Sequence, residues 1–143
     1  MLKRVSPSEA FELINAEGFQ YLDVRTEAEW NAGHPAGAHN VPFMVSGPTG
    51  LVPNDDFLRV VKSLYAADHR LVLGCKAGGR SLKAAKLLLS EGFTDIVDQR
   101  AGWDGLRDNF GRVTEPGWTA AGLPSEEATL GASYQELKSR SSG

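Results

Sequence analysis

The sequence has very little cysteine: Cys75 is the single one among 143 residues. One cysteine excludes a disulfide within the chain, a Cys-x-x-Cys redox pair and a zinc site built from several thiolates. The three histidines do not have the spacing that places two metal ligands on one face of a helix. We therefore expect no metal centre, and a lone cysteine favours a reducing compartment.

The sequence also lacks a long apolar run and an excess of positive charge. No apolar stretch approaches the roughly 18–20 residues that a membrane-spanning helix needs, and the first seven residues carry no apolar segment of a secretory signal. The net charge is −3, so we expect neither nucleic acid nor a membrane as a partner. These absences predict a cytoplasmic protein, or a plastid protein if a transit peptide has been removed.

Helical and strand patterns alternate along the chain. Capping residues and apolar side chains at helical spacing predict helices at about 7–16, at 26–31, from residue 54, at about 80–90 and at 103–110. Short apolar runs predict strands at 19–24, 38–41, 70–74 and 95–98, the last of these being the final strand, and residues 43–54 are predicted as a loop. This alternation predicts an α/β fold with a mostly parallel central sheet and helices on both faces.

The composition changes after Pro124, where Ser, Glu, Ala and Lys become frequent. A chain of this length fits one domain. We therefore predict a domain over residues 1–124 and a C-terminal extension over residues 125–143, partly disordered and at most partly helical near 134–138.

Cys75 lies at the point where the sequence predicts a binding loop, between a buried strand and a helix. In open α/β sheets, ligands bind at the carboxyl ends of the strands. The predicted binding residues are Lys76, Ala77, Gly78, Gly79, Arg80 and Ser81. Glycine amides and a helix start attract an anion, and two cations in the loop favour a thiolate over a thiol. The loop predicts a nucleophilic Cys75 in an anion-binding pocket, the alternative being an inert buried cysteine.

Four stretches resemble the motifs of one known family, in that family's order and spacing. They are Tyr21–Thr26, similar to an Asp-x-Arg strand end; Glu29–Pro42, similar to a Glu-aromatic-x-x-Gly-His-x-x-Gly-Ala-x-Asn-x-Pro element; Cys75–Ser81, similar to an active-site loop; and Ala101–Trp103, similar to a Gly-Gly-aromatic turn. The chain resembles the single-domain rhodaneses, most of all those of plants and cyanobacteria. Ala101 stands where the family usually has glycine.

The resemblance implies a rhodanese-like three-layer fold and a sulfurtransferase that works in two steps. The Cys75 thiolate would take a sulfane sulfur from a small-molecule donor to form a persulfide, then pass it to cyanide or to a thiol, including the thiol of a protein. Residues 76–81 would bind the substrate, and no cofactor is needed. From the residues themselves, we expect Asp23 and Arg25 to form an ion pair at the sheet edge that holds the loops in place, the alternative being a catalytic role. Thiosulfate, 3-mercaptopyruvate, a protein persulfide and glutathione persulfide stay open as donors, and the loop cations favour a charged one such as thiosulfate.

Two other functions compete with this interpretation. Cysteine phosphatases have a similar loop, but theirs places five residues between the cysteine and the arginine. In this chain, four residues separate Cys75 from Arg80. A non-catalytic rhodanese-like module would bind a partner only, although such modules commonly lack the cysteine. Trp30, Trp103 and Trp118 are expected in the core or at its rim; the alternative is that one of them, preferably Trp103, walls the pocket, with Phe43 and Met44 in a similar role.

Overall fold

The structure, a computed structural model, describes residues 2–141. Its helices are α1 (Pro7–Glu17), α2 (Glu27–Ala32), α3 (Phe57–Leu64), α4 (Gly79–Ser90) and α5 (Tyr134–Ser141). Its strands are β1 (Lys3–Val5), β2 (Gln20–Asp23), β3 (His34–Pro35), β4 (His39–Asn40), β5 (Met44–Gly47), β6 (Gly50–Pro53), β7 (Leu71–Gly74), β8 (Ile96–Gln99), β9 (Leu106–Arg107), β10 (Val113–Glu115) and β11 (Ser125–Glu126). Within residues 2–141, no helix combines the length and the apolar character that a bilayer crossing requires.

Five strands form the central sheet in the order β1-β8-β7-β2-β4, and all four neighbouring pairs are parallel. Because the strands are parallel, their carboxyl ends meet at one edge, and the segments after β8, β7, β2 and β4 lie side by side there. The segment that contains Cys75 follows β7 and is therefore central. The predicted α/β class with a parallel sheet is confirmed.

The sheet is covered on both faces because successive side chains of a strand point in opposite directions. Leu22, Leu71 and Leu73 belong to a core built with α3, α4 and α5. Tyr21 and Val72 belong to a second core, which is built with α1 and the segment around residue 118. We call these two sides the α3–α5 face and the α1 face.

Local sequence signals explain the helix ends. The Ser6 and Thr26 hydroxyls accept hydrogen bonds from the amides of Glu9 and Glu29, and each glutamate accepts the capping residue's own amide in return. The predicted helices at about 7–16 and 26–31 are therefore confirmed. Gly18 ends α1 in the left-handed region, with a φ of 71°.

Several predicted elements are wrong. The predicted loop at 43–54 contains the β5–β6 hairpin, in which Val45 pairs with Val52 around a glycine- and proline-rich turn. The predicted helix at 103–110 is a turn followed by β9, because Gly105 holds a φ of 100° that an α-helix does not allow. The strand at 95–98 is not the final one, since β9, β10 and β11 follow it, and β1 was not predicted.

The segment after Pro124 packs against the rest of the chain. Strand β11 pairs with β3, and α5 contacts α3 and β4. The side chains of Tyr134 and Leu137 are buried in the core of the α3–α5 face. Residues 125–141 thus complete one side of the molecule, although the composition predicts an extension. The domain boundary at residue 124 stays a prediction, and residues 142 and 143 lie outside the described part of the chain.

Candidate active site

Cys75 comes directly after β7, and its side chain is only 2% exposed. The backbone amide of Gly78 donates a hydrogen bond to Cys75 Sγ across 3.1 Å. Gly78 is the N-cap of α4 and has a φ of 95°, and a Cβ atom there would lie 2.5 Å from the carbonyl oxygen of Arg100. Only glycine fits this position, so the residue that donates to the sulfur is fixed by the fold.

Five further amides of this loop are unpaired. Among residues 2–141, the backbone N–H groups of Lys76, Ala77, Gly79, Arg80 and Ser81 have no protein acceptor. The last three belong to the first turn of α4, where a helix leaves its amides without internal partners. Such amides, together with the positive end of the helix dipole, can bind an anion.

The turn after β8 fixes the loop from the other side. The amides of Trp103 and Asp104 donate to the carbonyl oxygens of Cys75 and Lys76, each across 2.8 Å. Gly102 allows this approach, since a Cβ atom there would lie 2.4 Å from the carbonyl oxygen of Cys75. These two hydrogen bonds hold the carbonyls of Cys75 and Lys76 against the turn after β8.

Gln99 holds that turn and was missed by the sequence analysis. Its side chain accepts from the amide of Gly102 across 2.7 Å and donates to the carbonyl of Gly102 and to the hydroxyl of Tyr21. Gln99 is fully buried at the end of β8. A glutamine at the end of an apolar run was the available signal, because a buried amide needs partners.

Arg80 is paired with Glu29. Its guanidinium donates to both carboxylate oxygens, across 2.7 and 3.0 Å. Burial alone would raise the pKa of Glu29, but the hydrogen bonds from Arg80 and from the Thr26 cap lower it to about 2. The positive charge of Arg80 at the start of α4 is therefore balanced by the negative charge of Glu29.

Lys76 is also paired, with its ammonium 3.7 Å from the carboxylate of Asp104. The sequence predicts two cations, Lys76 and Arg80, that would favour a charged donor. The structure gives each of them a carboxylate partner, so the positive potential at the loop comes mainly from the backbone amides and the helix dipole.

Asp23 and Arg25 form the predicted ion pair, with 2.7 Å between Oδ2 and Nη2 and both side chains buried. Arg25 also donates to the carbonyl of Gly33 and lies 5.0 Å from the ring centre of Trp103. The pair therefore joins the segment after β2 to α2 and to the turn after β8. Ser81 is buried as well, and its hydroxyl donates to the carbonyl of Gly78. The Asp23–Arg25 pair thus supports the segments around the Cys75 loop, and the Ser81 hydrogen bond supports the loop itself.

Two cavities are relevant to the candidate site: Lys76 of the Cys75 loop lines the first, whereas the second is lined by residues of α3, α4 and the segment around the β5–β6 hairpin and by none of residues 75–81. The first, which we call the polar cleft, has a volume of about 300 Å³ and is lined by Arg25, Glu29, Ala32, Lys76, Trp103 and Asp104. The second, which we call the apolar groove, has a volume of about 440 Å³, and its lining includes Phe43, Met44, Asp55, Phe57, Leu58, Lys83 and Leu87. Trp103 thus walls one cavity, and Phe43 and Met44 wall the other. Within residues 2–141, no three His, Cys, Asp or Glu side chains gather in a way that could hold a metal ion.

Comparison with known proteins identifies the family. The model of the rhodanese-like domain matches residues 6–109. This chain belongs to the rhodanese-like family. Thiosulfate sulfurtransferase 16, a chloroplastic protein of Arabidopsis thaliana, is 39% identical over 122 residues, which cover 85% of this chain and 91% of that protein. The resemblance inferred from the motifs is confirmed.

Other known proteins match over different shares of their length. Thiosulfate sulfurtransferase 18 of Arabidopsis thaliana is 39% identical over 101 residues, which cover 69% of this chain and 74% of that protein. The senescence-associated protein DIN1 of Raphanus sativus is 40% identical over 118 residues, which cover 82% of this chain but 57% of that protein. The crystal structure of Rv0390 from M. tuberculosis has a TM-score of 0.72 at 27% identity, with coverage of 88% and 98%. The rhodanese-like three-layer fold is therefore confirmed.

Proposed function

We propose that this protein is a sulfurtransferase in which Cys75 carries the transferred sulfur as a persulfide. The observation that carries the proposal is the hydrogen bond from the Gly78 amide to Cys75 Sγ. It holds the sulfur at the start of α4, beside amides that have no other acceptor in residues 2–141. Two relatives that are named thiosulfate sulfurtransferases support the same activity.

In the first step, the Cys75 thiolate attacks the outer sulfur of a donor such as thiosulfate. A bond forms between Sγ and that sulfur while the bond to the sulfite group breaks, and sulfite leaves with the electron pair. The terminal sulfur of the persulfide then carries the negative charge. The loop amides are placed to stabilise this charge, because donors fixed in advance need no reorganisation when the charge develops.

In the second step, a nucleophile attacks the terminal sulfur. Cyanide would leave as thiocyanate, and a thiolate would leave as an organic persulfide. The bond between the two sulfurs breaks, and its electron pair returns to Sγ as the thiolate that begins the next cycle. No redox cofactor or metal enters this balance.

The neutral pair of Arg80 and Glu29 has a positioning role in this proposal. It fixes the guanidinium at the helix start, next to the Cys75 loop, without adding a net charge. The buried pair of Asp23 and Arg25 holds the neighbouring segment in the same way. The amides remain the main source of attraction for an anion.

A cysteine phosphatase is the weaker alternative, since four residues between Cys75 and Arg80 give a shorter ring of amides than the five of that enzyme class. A binding module without activity does not explain why the cysteine, the donating amide and the unpaired amides occur together.

For the compartment, cytoplasm or plastid stays our prediction. Thiosulfate sulfurtransferase 16 and another relative are called chloroplastic by name.

Steady-state turnover tests the proposed function. With thiosulfate and cyanide, the wild-type protein is expected to form thiocyanate, and Cys75→Ser is expected to form none, because a hydroxyl is a poor nucleophile at neutral pH. The melting temperature of Cys75→Ser serves as the control and is expected to stay close to that of the wild type. Thiocyanate formation by a folded Cys75→Ser variant would exclude Cys75 as the carrier.

A further inference from the structure

We propose that the apolar groove binds the organic part of the sulfur acceptor, so that an apolar thiol is a better acceptor than a small or polar one. This inference rests on the proposed function, because it assigns the substrate class of the second step. No residue of the groove belongs to the predicted binding loop or to the supporting ion pairs.

The first observation is the direction in which the Cys75 side chain faces. Cys75 belongs to the core of the α3–α5 face, together with Leu73 and Phe57. Phe43 and Leu87 of the groove pack against the same core. Trp103, which walls the polar cleft, packs against the core of the α1 face. The thiol therefore lies on the same side of the sheet as the groove.

The second observation is the continuity along α4. Lys83 and Leu87 follow Arg80 by three and seven residues, which places all three on one face of the helix. At the rise of an α-helix, these two positions lie roughly 5 and roughly 10 Å beyond Arg80 along the axis. The groove thus begins about one helical turn from the Cys75 loop and runs away from it.

The third observation is the size and chemistry of the groove. A volume of about 440 Å³ and a mostly apolar lining match a site for a small organic molecule. Within the described residues, no carboxylate lies within ion-pair distance of Lys83. The lining also holds the carboxylate of Asp55, so the groove contains one charge of each sign, and its apolar side chains are what suit the organic part of an acceptor.

The transfer step balances without another reactant. The acceptor thiolate forms a bond to the terminal sulfur of the Cys75 persulfide while the bond between that sulfur and Sγ breaks. The electron pair of the broken bond restores the Cys75 thiolate. The product is the persulfide anion of the acceptor, whose apolar chain lies in the groove during the step.

Alkanethiols of increasing length test the inference, because their thiol acidities are nearly equal. With thiosulfate as the donor, kcat/KM is measured for ethanethiol, butanethiol and hexanethiol. We expect kcat/KM to rise about fourfold for each methylene group that becomes buried. A series in which hexanethiol is no better than ethanethiol would contradict the inference.

Two matched variants on α4 locate the effect. Leu87→Asn places an amide in the groove and is expected to reduce the ratio of kcat/KM for hexanethiol to that for ethanethiol by about tenfold or more. Leu89→Asn makes the same change at a partly buried position that does not line the groove, and is expected to keep the wild-type ratio. Equal loss of the ratio in both folded variants would mean that the groove does not bind the chain.

Two further measurements separate the other outcomes. Persulfide formation from thiosulfate is measured first on the same protein: its absence would contradict the proposed function, whereas normal persulfide formation with a flat alkanethiol series would contradict the groove alone. Sedimentation at the assay concentration is expected to show that the groove is not covered by a second copy. A dimer that the Leu87→Asn substitution dissociates would contradict the inference.

Discussion

The polar cleft and the apolar groove differ in how their charges are arranged. In the polar cleft, Glu29 neutralises Arg80 and Asp104 neutralises Lys76. The apolar groove is lined by one cation, Lys83, and one carboxylate, Asp55, and neither belongs to an ion pair within residues 2–141. The comparison teaches that counting cations near a nucleophile does not predict the local potential, because the fold decides which of them are paired.

The two faces of the sheet also differ in what completes them. The α1 face is built from the first helix and the segment around Trp118. The α3–α5 face requires α5, which the sequence places in a predicted extension, and it contains both Cys75 and the base of the groove. Residues 125–141, which differ in composition from the rest of the chain, therefore support the α3–α5 face, where we place the sulfur transfer.

The largest effect on stability is expected from Leu137→Ala in α5. Leu137 is 1% exposed in the core of the α3–α5 face, and truncating a buried leucine costs about 2–5 kcal/mol of unfolding free energy. Leu130→Ala is the control, since Leu130 is fully exposed. Equal unfolding free energies for the two variants in urea would mean that α5 does not support this face.

A smaller effect is expected from Gly78→Ala, which tests the Cys75 loop. A Cβ atom at residue 78 would clash with the carbonyl oxygen of Arg100, and the alanine backbone would have to adopt a positive φ. We therefore expect a loss of about 1–3 kcal/mol in the unfolding free energy. Gly79→Ala makes the same change where a Cβ atom meets nothing within 4 Å. It is expected to keep or slightly raise the unfolding free energy. A stable Gly78→Ala and an unstable Gly79→Ala would reverse this account of the loop.

The smallest effect is expected from Glu29→Gln, which breaks the neutral pair of the polar cleft. The folded pKa of Glu29, about 2, lies below its ordinary value of 4.5. The carboxylate therefore stabilises the fold above pH 4.5, and this contribution disappears as the pH falls towards 2. We expect the variant to lose about 1 kcal/mol or less at pH 7, since the pair is partly exposed.

Urea unfolding of the wild type and of Glu29→Gln at several pH values measures that difference. The gap between the two unfolding free energies should shrink between pH 5 and pH 2. Glu27→Gln on the same helix removes a carboxylate that accepts a hydrogen bond from Gln135 but has no ion-pair partner in residues 2–141, and it is expected to show a smaller gap. A gap for Glu29→Gln that grows as the pH falls would contradict the pairing.

Local signals in the sequence predicted much of the fold. The two capping boxes and the apolar runs of β2, β7 and β8 need only neighbouring residues to form, so periodicity and capping chemistry indicate them directly. The hairpin of β5 and β6 was missed because its glycines and prolines resemble a loop, although Val45 and Val52 flank the turn. The helix expected at 103–110 failed because periodicity does not reveal that Gly105 has a positive φ.

The candidate site likewise has a part that local sequence predicts and a part that depends on distant residues. Cys75 and its loop were found from sequence because the strand, the glycines and the helix start are adjacent in the chain. The partner of Arg80 is 51 residues away, and the hydrogen bond between Gln99 and Tyr21 spans 78 residues. Contacts of that separation depend on strand order, which one sequence does not specify.

The central claim is that Cys75 carries sulfur, and one measurement tests it most directly. After incubation with thiosulfate and removal of small molecules, intact-mass and peptide spectra should show the addition of one sulfur atom, placed on Cys75 and removed by cyanide. Cys75→Ser should show no addition. A wild-type protein that gains no sulfur, or gains it at a residue other than Cys75, would contradict the account.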